Sequence, residues 1–449
     1  MSFILKYWFN IENIYQTIQP ACRCMKWFGF MPFTLSTLET DGKRKEQPST
    51  PDGQPPVTLI RKKLDIVLVL LWQIFILSMY CCHWFANLLN APMSKIMISL
   101  TVLMFILVGI LTSAVQLRTA LSRTKIDELL RLVRFSDALQ FLFPSSKPRC
   151  TSQIESLGRA VNHRRHHLGL VLLILGTIIG TIFMMAVELA LSVQFHERIS
   201  PIWEQFYDVG ALVYSYALRA AQICSLSVFL GAMLAFRARF RLLNEAFRDV
   251  FLQKECNLDD VDAREHLRKI AVGHDALTEA VDLFSDVCCL QMVYACTTYV
   301  MFSIFSMFCI GALVSCSAAD VVFLSLIYTS AFLQYSLHIL PIIKISTDVR
   351  NEGKQIAVLV HKAINQSSLS VGSINRLMLF SRQLQQQTPA VSSGMFSFDW
   401  TLCFSILSTV ATYTMIMVQF ELEVPKFFLN ALVSAHVNER TEINGTRVF

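Results

Sequence analysis

Residues 411–420 read ATYTMIMVQF, an apolar run that opens on Thr412 and Tyr413 and closes on Gln419 and Phe420. On a helix of about 3.6 residues per turn, Thr401, Ser405, Ser408, Thr412, Met415 and Gln419 fall within about 40° of one line. One stripe of an otherwise apolar helix is therefore mostly polar, and such a stripe must face water or another helix. The hydroxyls admit either reading, because Ser and Thr in membrane helices also bond their own backbone and pack on neighbours. Gln419 favours water: its amide has several hydrogen bonds to satisfy, and it stands at the end of the run.

Glu188 and Arg219 are charges inside other apolar runs, where charge is costly and faces the protein interior or a cavity. They either pair structurally or line a pocket open to one side. Tyr214, Tyr216, His83 and Tyr328 stand at similar depth and share that ambiguity. VNHRRHHLG (161–169) holds metal-binding residue types, but His clustered with Arg at the edge of an apolar run marks a headgroup layer, and no metal is expected. GTIIG (176–180) permits close helix contact. No Walker loop, HExxH, GxSxG or paired zinc-ligand spacing appears, so enzymatic chemistry has no residues to stand on. Neither a cofactor nor a nucleic-acid partner is expected. Of the 13 cysteines, Cys81, Cys82, Cys224, Cys288, Cys289, Cys296, Cys309 and Cys403 lie inside apolar runs, where they read as small packing residues.

The elements that position these residues follow from composition. A 449-residue chain that is 54% hydrophobic and 16% charged is too apolar for a soluble protein and reads as an all-α membrane protein. Seven runs reach the roughly 20 apolar residues a bilayer core requires: about 64–88, 96–117, 168–193, 209–236, 287–316, 321–344 and 396–420. They lack the alternation of barrel strands, so helices must satisfy their backbone polar groups. No cleavable signal precedes them.

The basic residues sort between two sides. Segments 1–63, 118–167, 237–286 and 345–395 carry 9, 10, 8 and 5 Lys and Arg, whereas 89–95, 194–208 and 317–320 carry 1, 1 and none. The positive-inside rule then puts the N-terminus and the long connections in the cytoplasm and the C-terminus outside. The net charge of +6 reports mainly this sorting. The sequon at Asn444 falls outside and is open to glycosylation; that at Asn365 falls inside.

The long connections are amphipathic at helical spacing. Leu129, Leu130, Leu132, Val133 and Leu139 recur within 118–142, and Phe240, Leu243, Phe247 and Phe251 within 236–255. Residues 263–290 run amphipathically into the fifth span. These faces either bury one another in a cytoplasmic bundle or lie on the inner leaflet. Residues 41–56, rich in Pro, Gly and charge, read as a disordered linker within a cytoplasmic segment 1–63. No internal repeat is visible, which speaks against a secondary transporter.

TYTMIMVQF (412–420) fits the pattern Thr-Tyr, five mostly apolar residues, Gln-Phe, and so resembles the last span of insect gustatory receptors. MFSFDWTL (395–402) is similar to the Phe-x-hydrophobic-Asp entry of that helix, and IYQTIQPACRCMKWFGFMPFTL (14–35) to the family's N-terminal segment. The resemblance implies a ligand-gated, non-selective cation channel related to insect odorant receptors. It also implies four subunits, alike or mixed, with the N-terminus inside and cytoplasmic helical extensions forming a tetrameric anchor.

On that pattern 64–344 is a six-helix ligand-binding region, 345–395 an anchor segment with a helix within about 355–390, 396–420 the pore helix, and 421–449 an external tail. Gln419 and Phe420 become gate residues, and Thr412, Met415, Ser408, Ser405 and Tyr413 pore-helix residues. Glu188, Arg219, Tyr216, Tyr328 and His83 become the candidate pocket. Sugar members carry an acid after Thr-Tyr where this chain has Thr414, so the resemblance points to bitter or other non-sugar tastants. Permeant cations and membrane lipid are the other partners, and the plasma membrane of chemosensory neurons the location. The rival readings are a sugar- or fructose-type gustatory receptor and a G-protein-coupled receptor; the latter expects an acidic-Arg-Tyr triplet and NPxxY, and neither is present.

Overall fold

The computed structural model describes residues 57–60, 65–74, 95–141, 163–196, 202–252, 260–315, 319–366 and 370–419, with residue 78 and short runs between 19 and 37. His83, Cys81, Cys82, Phe420, Asn444, the linker 41–56 and the tail 421–449 lie outside the described residues, as do the side chains of Glu188 and Tyr214.

Two short strands, β1 (Thr34–Thr37) and β2 (Val57–Ile60), pair antiparallel with Thr34 opposite Ile60. The other described elements are helices: α1 (Asp65–Ile74), α2 (Lys95–Leu121), α3 (Arg123–Phe141), α4 (His163–His196), α5 (Ile202–Phe251), α6 (Asp260–Ser315), α7 (Ala319–Gln366), α8 (Val371–Gln386) and α9 (Trp400–Gln419). Six of the expected apolar runs fall largely on these helices, and of the run 64–88 the described part, 65–74, is helical. Among the described residues, α4, α5, α6 and α9 carry stretches long and apolar enough to cross a membrane. At about 1.5 Å per residue, the 56 residues of α6 extend roughly 84 Å, against a hydrocarbon core of about 30 Å. Span and amphipathic extension are thus one continuous helix, and the same holds for α5 and α7.

The chain divides into two compact units, Met1–Cys296 with Leu337–Leu402, and Thr297–Ser336 with Cys403–Phe449. In the first, the N-terminal segment is part of the core. Cys22, Met25, Phe30 and Phe33 are buried with Val115, Ile126, Ala221 and Tyr294. Gly29, at φ 74°, turns the segment beside Val69 and Trp72 of α1, in a backbone conformation that favours glycine. Lys26 pairs at 2.7 Å with Asp65 at the start of α1.

The amphipathic extensions of α5 and α6 are buried among their neighbours, while of Leu129, Leu130, Leu132 and Val133 on α3 only Val133 is fully buried. Phe240, Leu243, Phe247 and Phe251 are each less than a tenth exposed, which decides for a bundle over a helix lying on the leaflet. Side-chain bonds then fix the register. Arg237 meets Asp348 at 3.1 Å, Asn244 donates to the Glu352 carbonyl at 2.9 Å, and Arg118 and Lys125 both reach Asp286. Farther along α5, α4 packs on it through Leu170, Ile174 and Cys224, with Gly231 giving Leu170 room. A Cβ on Gly176 or Gly180 would meet nothing within 4 Å, so the two glycines mark no close helix approach among the described residues, whereas Thr177 and Ile178 between them reach His338 of α7 and the contact with α5.

In the second unit, rings from α6 and α7 interleave. Tyr299 stacks on Phe332 at 5.8 Å, Phe302 on Tyr335 at 5.6 Å and Phe305 on Tyr328 at 5.1 Å. Ser306 and Thr329 share a hydrogen bond between the same helices.

Candidate functional site: the α9 helix and its entry

α9 begins where a tight hairpin ends. Phe398 N–H donates to the Val391 carbonyl and Ser393 N–H to the Phe396 carbonyl, both at 3.0 Å, with Gly394 at φ 77° in the turn. Asp399 then caps the helix: its Oδ1 accepts from the amides of Thr401 at 3.0 Å and Leu402 at 3.3 Å. Ser397 donates to its other oxygen at 2.9 Å, and Arg350 of α7 stands 3.8 Å away. Phe398 is buried, 6.2 Å from Phe229, which in turn meets Phe284 at 4.9 Å. The Asp of the entry pattern thus does two things, satisfying the free amides of the first turn and tying that turn to α7.

Along α9 the stripe named from spacing is real in one respect. Thr401, Ser405, Ser408, Thr412, Met415 and Gln419 are all exposed in the single chain, while Ile406 and Val410 are buried. The hydroxyl chemistry is partly local: Thr412 donates to the Ser408 carbonyl at 2.9 Å and Thr409 to that of Ser405 at 2.8 Å. Those donors are satisfied without water, and their oxygens keep lone pairs facing outward. Tyr413, Phe404 and Leu407 are also exposed, so α9 presents an apolar flank beside its polar line.

Of the pocket candidates, Tyr216 and Arg219 come together on α5. The Arg219 guanidinium carbon lies 4.6 Å from the Tyr216 ring centre, with both residues buried beside Gln222. A desolvated cation–π contact of this kind contributes about 2 kcal/mol. Tyr328 is buried in the ring stack of the second unit. Glu188 lies on α4, with its side chain outside the described residues, as is His83 altogether.

Three features went unnoticed in the sequence. Arg350 is the partner of Asp399, and only the Asp, placed just before an apolar run, carries a cap signal. A polar groove of about 370 Å³ lies along α5 and α7, lined by Arg237, Asp348, Asn351, Glu352, Lys354 and Gln355. Arg237 and Asp348 already pair across it at 3.1 Å. His274 on α6 is buried, 3.3 Å from the Gly353 carbonyl, and its ring meets Phe240 edge-on at 5.6 Å. Burial pushes this imidazole below its ordinary pKa of 6.5, against the opposing pull of that carbonyl and of Asp275.

Comparison with solved structures finds the same fold in an insect olfactory receptor, OR5 from Machilis hrabei. The TM-score is 0.61 at 13% identity, covering 91% of this chain and 98% of the receptor. The same receptor in complex with eugenol matches at a TM-score of 0.56 and 13% identity, over 90% of this chain and 97% of that one. No curated protein matches significantly. Likeness at this identity fixes the fold alone. The model of the 7tm chemosensory receptors, however, matches residues 18–424, from the buried N-terminal segment through α9, and the chain belongs to that family.

Proposed function

We propose that this chain is a subunit of a ligand-gated, non-selective cation channel of contact chemosensation, a gustatory receptor answering bitter or other non-sugar compounds. The observation that carries the reading is the outward line of α9, where Thr401, Ser405, Ser408, Thr412, Met415 and Gln419 are all left uncovered by the chain's own fold. Four such helices around an axis, from identical or mixed subunits, enclose one polar pathway. Thr414, where sugar receptors carry an acid, supports the non-sugar assignment.

On this reading the N-terminus, the extensions of α5 to α7 and segment 345–395 are cytoplasmic, and seven helices cross the plasma membrane of a chemosensory neuron. The tail 421–449 is external. Residues 64–344 hold the ligand, with Glu188, Arg219, Tyr216, Tyr328 and His83 as pocket residues. A relative of this fold is known in complex with eugenol, a small organic molecule, which fits a tastant of similar size. The ligand binds the open state better and shifts the equilibrium towards it. At the outer mouth Phe420 closes the pore by excluding water, and Gln419 faces the pathway when it opens. About 100° separates them on the helix, so they take turns at the axis.

The test is whole-cell current in an insect cell line with G-protein signalling blocked, while bitter compounds and sugars are applied. A prompt cation current is expected, altered by Gln419→Ala and by Phe420→Ala. A response that needs G proteins, or gating untouched by both substitutions, rules the reading out.

A further inference from the structure

Gly353 stands in the interior of α7, where glycine is disfavoured relative to alanine and therefore calls for a packing reason. The reason is Pro389, in the segment that joins α8 to α9. A Cβ on residue 353 would lie 2.2 Å from Pro389 Cγ and 3.0 Å from Cδ, but 3.6 Å from Cβ. The proline ring fills the notch that the missing side chain leaves. Both residues are buried.

The same turn of α7 is held from two other helices. Asn244 of α5 donates to the Glu352 carbonyl at 2.9 Å, and the His274 ring of α6 lies 3.3 Å from the Gly353 carbonyl. His274 also faces Phe380 of α8, with ring centres 6.4 Å apart. Beyond Pro389 the joining segment remains fastened. The Cys289 thiol of α6 donates to the Ser393 carbonyl at 2.9 Å, Phe398 packs near Phe229, and Asp399 closes the track by capping α9. A rigid ring seated on bare backbone has no rotamer with which to absorb a displacement. Whatever moves the turn at 352–353 therefore moves Pro389 with it.

We propose that Gly353 and Pro389 form a seated joint through which α7 sets the position of the first turn of α9, making both positioning residues for gating. The proposal rests on the reading of α9 as the pore helix, and its test separates the two ideas.

The full-length protein is compared as wild type, Gly353→Ala, and the double variant Gly353→Ala/Pro389→Ala, in which only the 3.6 Å contact remains. One arm needs no channel activity. Site-resolved alkylation of Cys289 in purified protein should speed up in Gly353→Ala, as the segment lifts from Sγ, and return to the wild-type rate in the double variant. The other arm is current: the half-maximal concentration of the bitter compound that gives the largest wild-type current should shift about tenfold in Gly353→Ala, the size of an overpacked contact, and return in the double variant.

Unchanged alkylation in Gly353→Ala overturns the joint. Altered and rescued alkylation with wild-type gating in all three overturns the coupling to α9. If Gly353→Ala never reaches the surface, recovery of surface protein by the double variant supports the joint and no recovery overturns it. Wild-type protein at the surface without any current sinks the channel reading and the gating role with it, while the alkylation arm still decides whether the joint exists.

Discussion

At the scale of single residues, Asp399 bears the most on α9. Its carboxylate serves two first-turn amides and lies near Arg350, so the two contributions separate by substitution. Asp399→Ala removes both and should lower stability by about 1 kcal/mol for the cap alone, seen as a lower thermal midpoint of the purified protein. Asp399→Asn keeps an oxygen for the amides and loses only the charge. It should fall close to wild type, because a half-exposed pair at 3.8 Å contributes less than about 1 kcal/mol. Equal losses in both variants would move the weight onto Arg350. Asp399 was legible in the sequence as the acid of the entry pattern, its capping role only in the structure. Arg350 was not, because the pair joins residues far apart in the chain and nothing in local spacing reports such a contact.

At the scale of elements, the amphipathic extensions declared themselves through Phe240, Leu243, Phe247 and Phe251, all of which are buried. Periodicity gave the face and left open what covers it, since a leaflet and a neighbouring helix attract the same side chains. The pairing of β1 with β2 was illegible: two four-residue strands separated by residues 38–56 carry no hairpin spacing. The N-terminal segment, which carries no apolar run, places Phe30 and Phe33 among the core residues. His274 supplies this scale's prediction. It lies thirteen residues before the apolar run that begins at 287, roughly 20 Å below it, in the bundle of α5 to α8. Because its folded pKa is depressed below 6.5, the unfolded chain binds more protons in that window, and stability falls as pH drops through 6.5 towards the folded value. Thermal midpoints of wild type and His274→Gln, taken between about pH 7.5 and 5.5, should diverge, with the histidine's share of the slope missing in the variant. Parallel slopes would mean that His274 titrates as an exposed imidazole does.

At the scale of the whole molecule, length and charge together constrain the threading. α5, α6 and α7 are each 48 residues or longer, about 72 Å or more, so at least half of each must leave the hydrocarbon core. The charged halves of these helices lie at one end: Arg237 to Arg248 on α5, Arg264 to Asp286 on α6, and Lys344 to Lys362 on α7. Antiparallel helices joined in sequence place those halves together only if all three project on the same side. On the proposed threading that side is the cytoplasm. The two sequons then separate the possibilities. Asn365, near the end of α7, belongs to the projecting half, and the proposed threading puts Asn444 on the opposite side of the membrane. Digestion of membrane preparations with peptide N-glycosidase should sharpen or shift the wild-type band. Asn444→Gln should abolish that response, and Asn365→Gln should leave it intact. A glycan on Asn365 would turn the molecule over, place the bundle of α5 to α8 outside the cell, and make Gln419 an inner rather than an outer residue of the pathway.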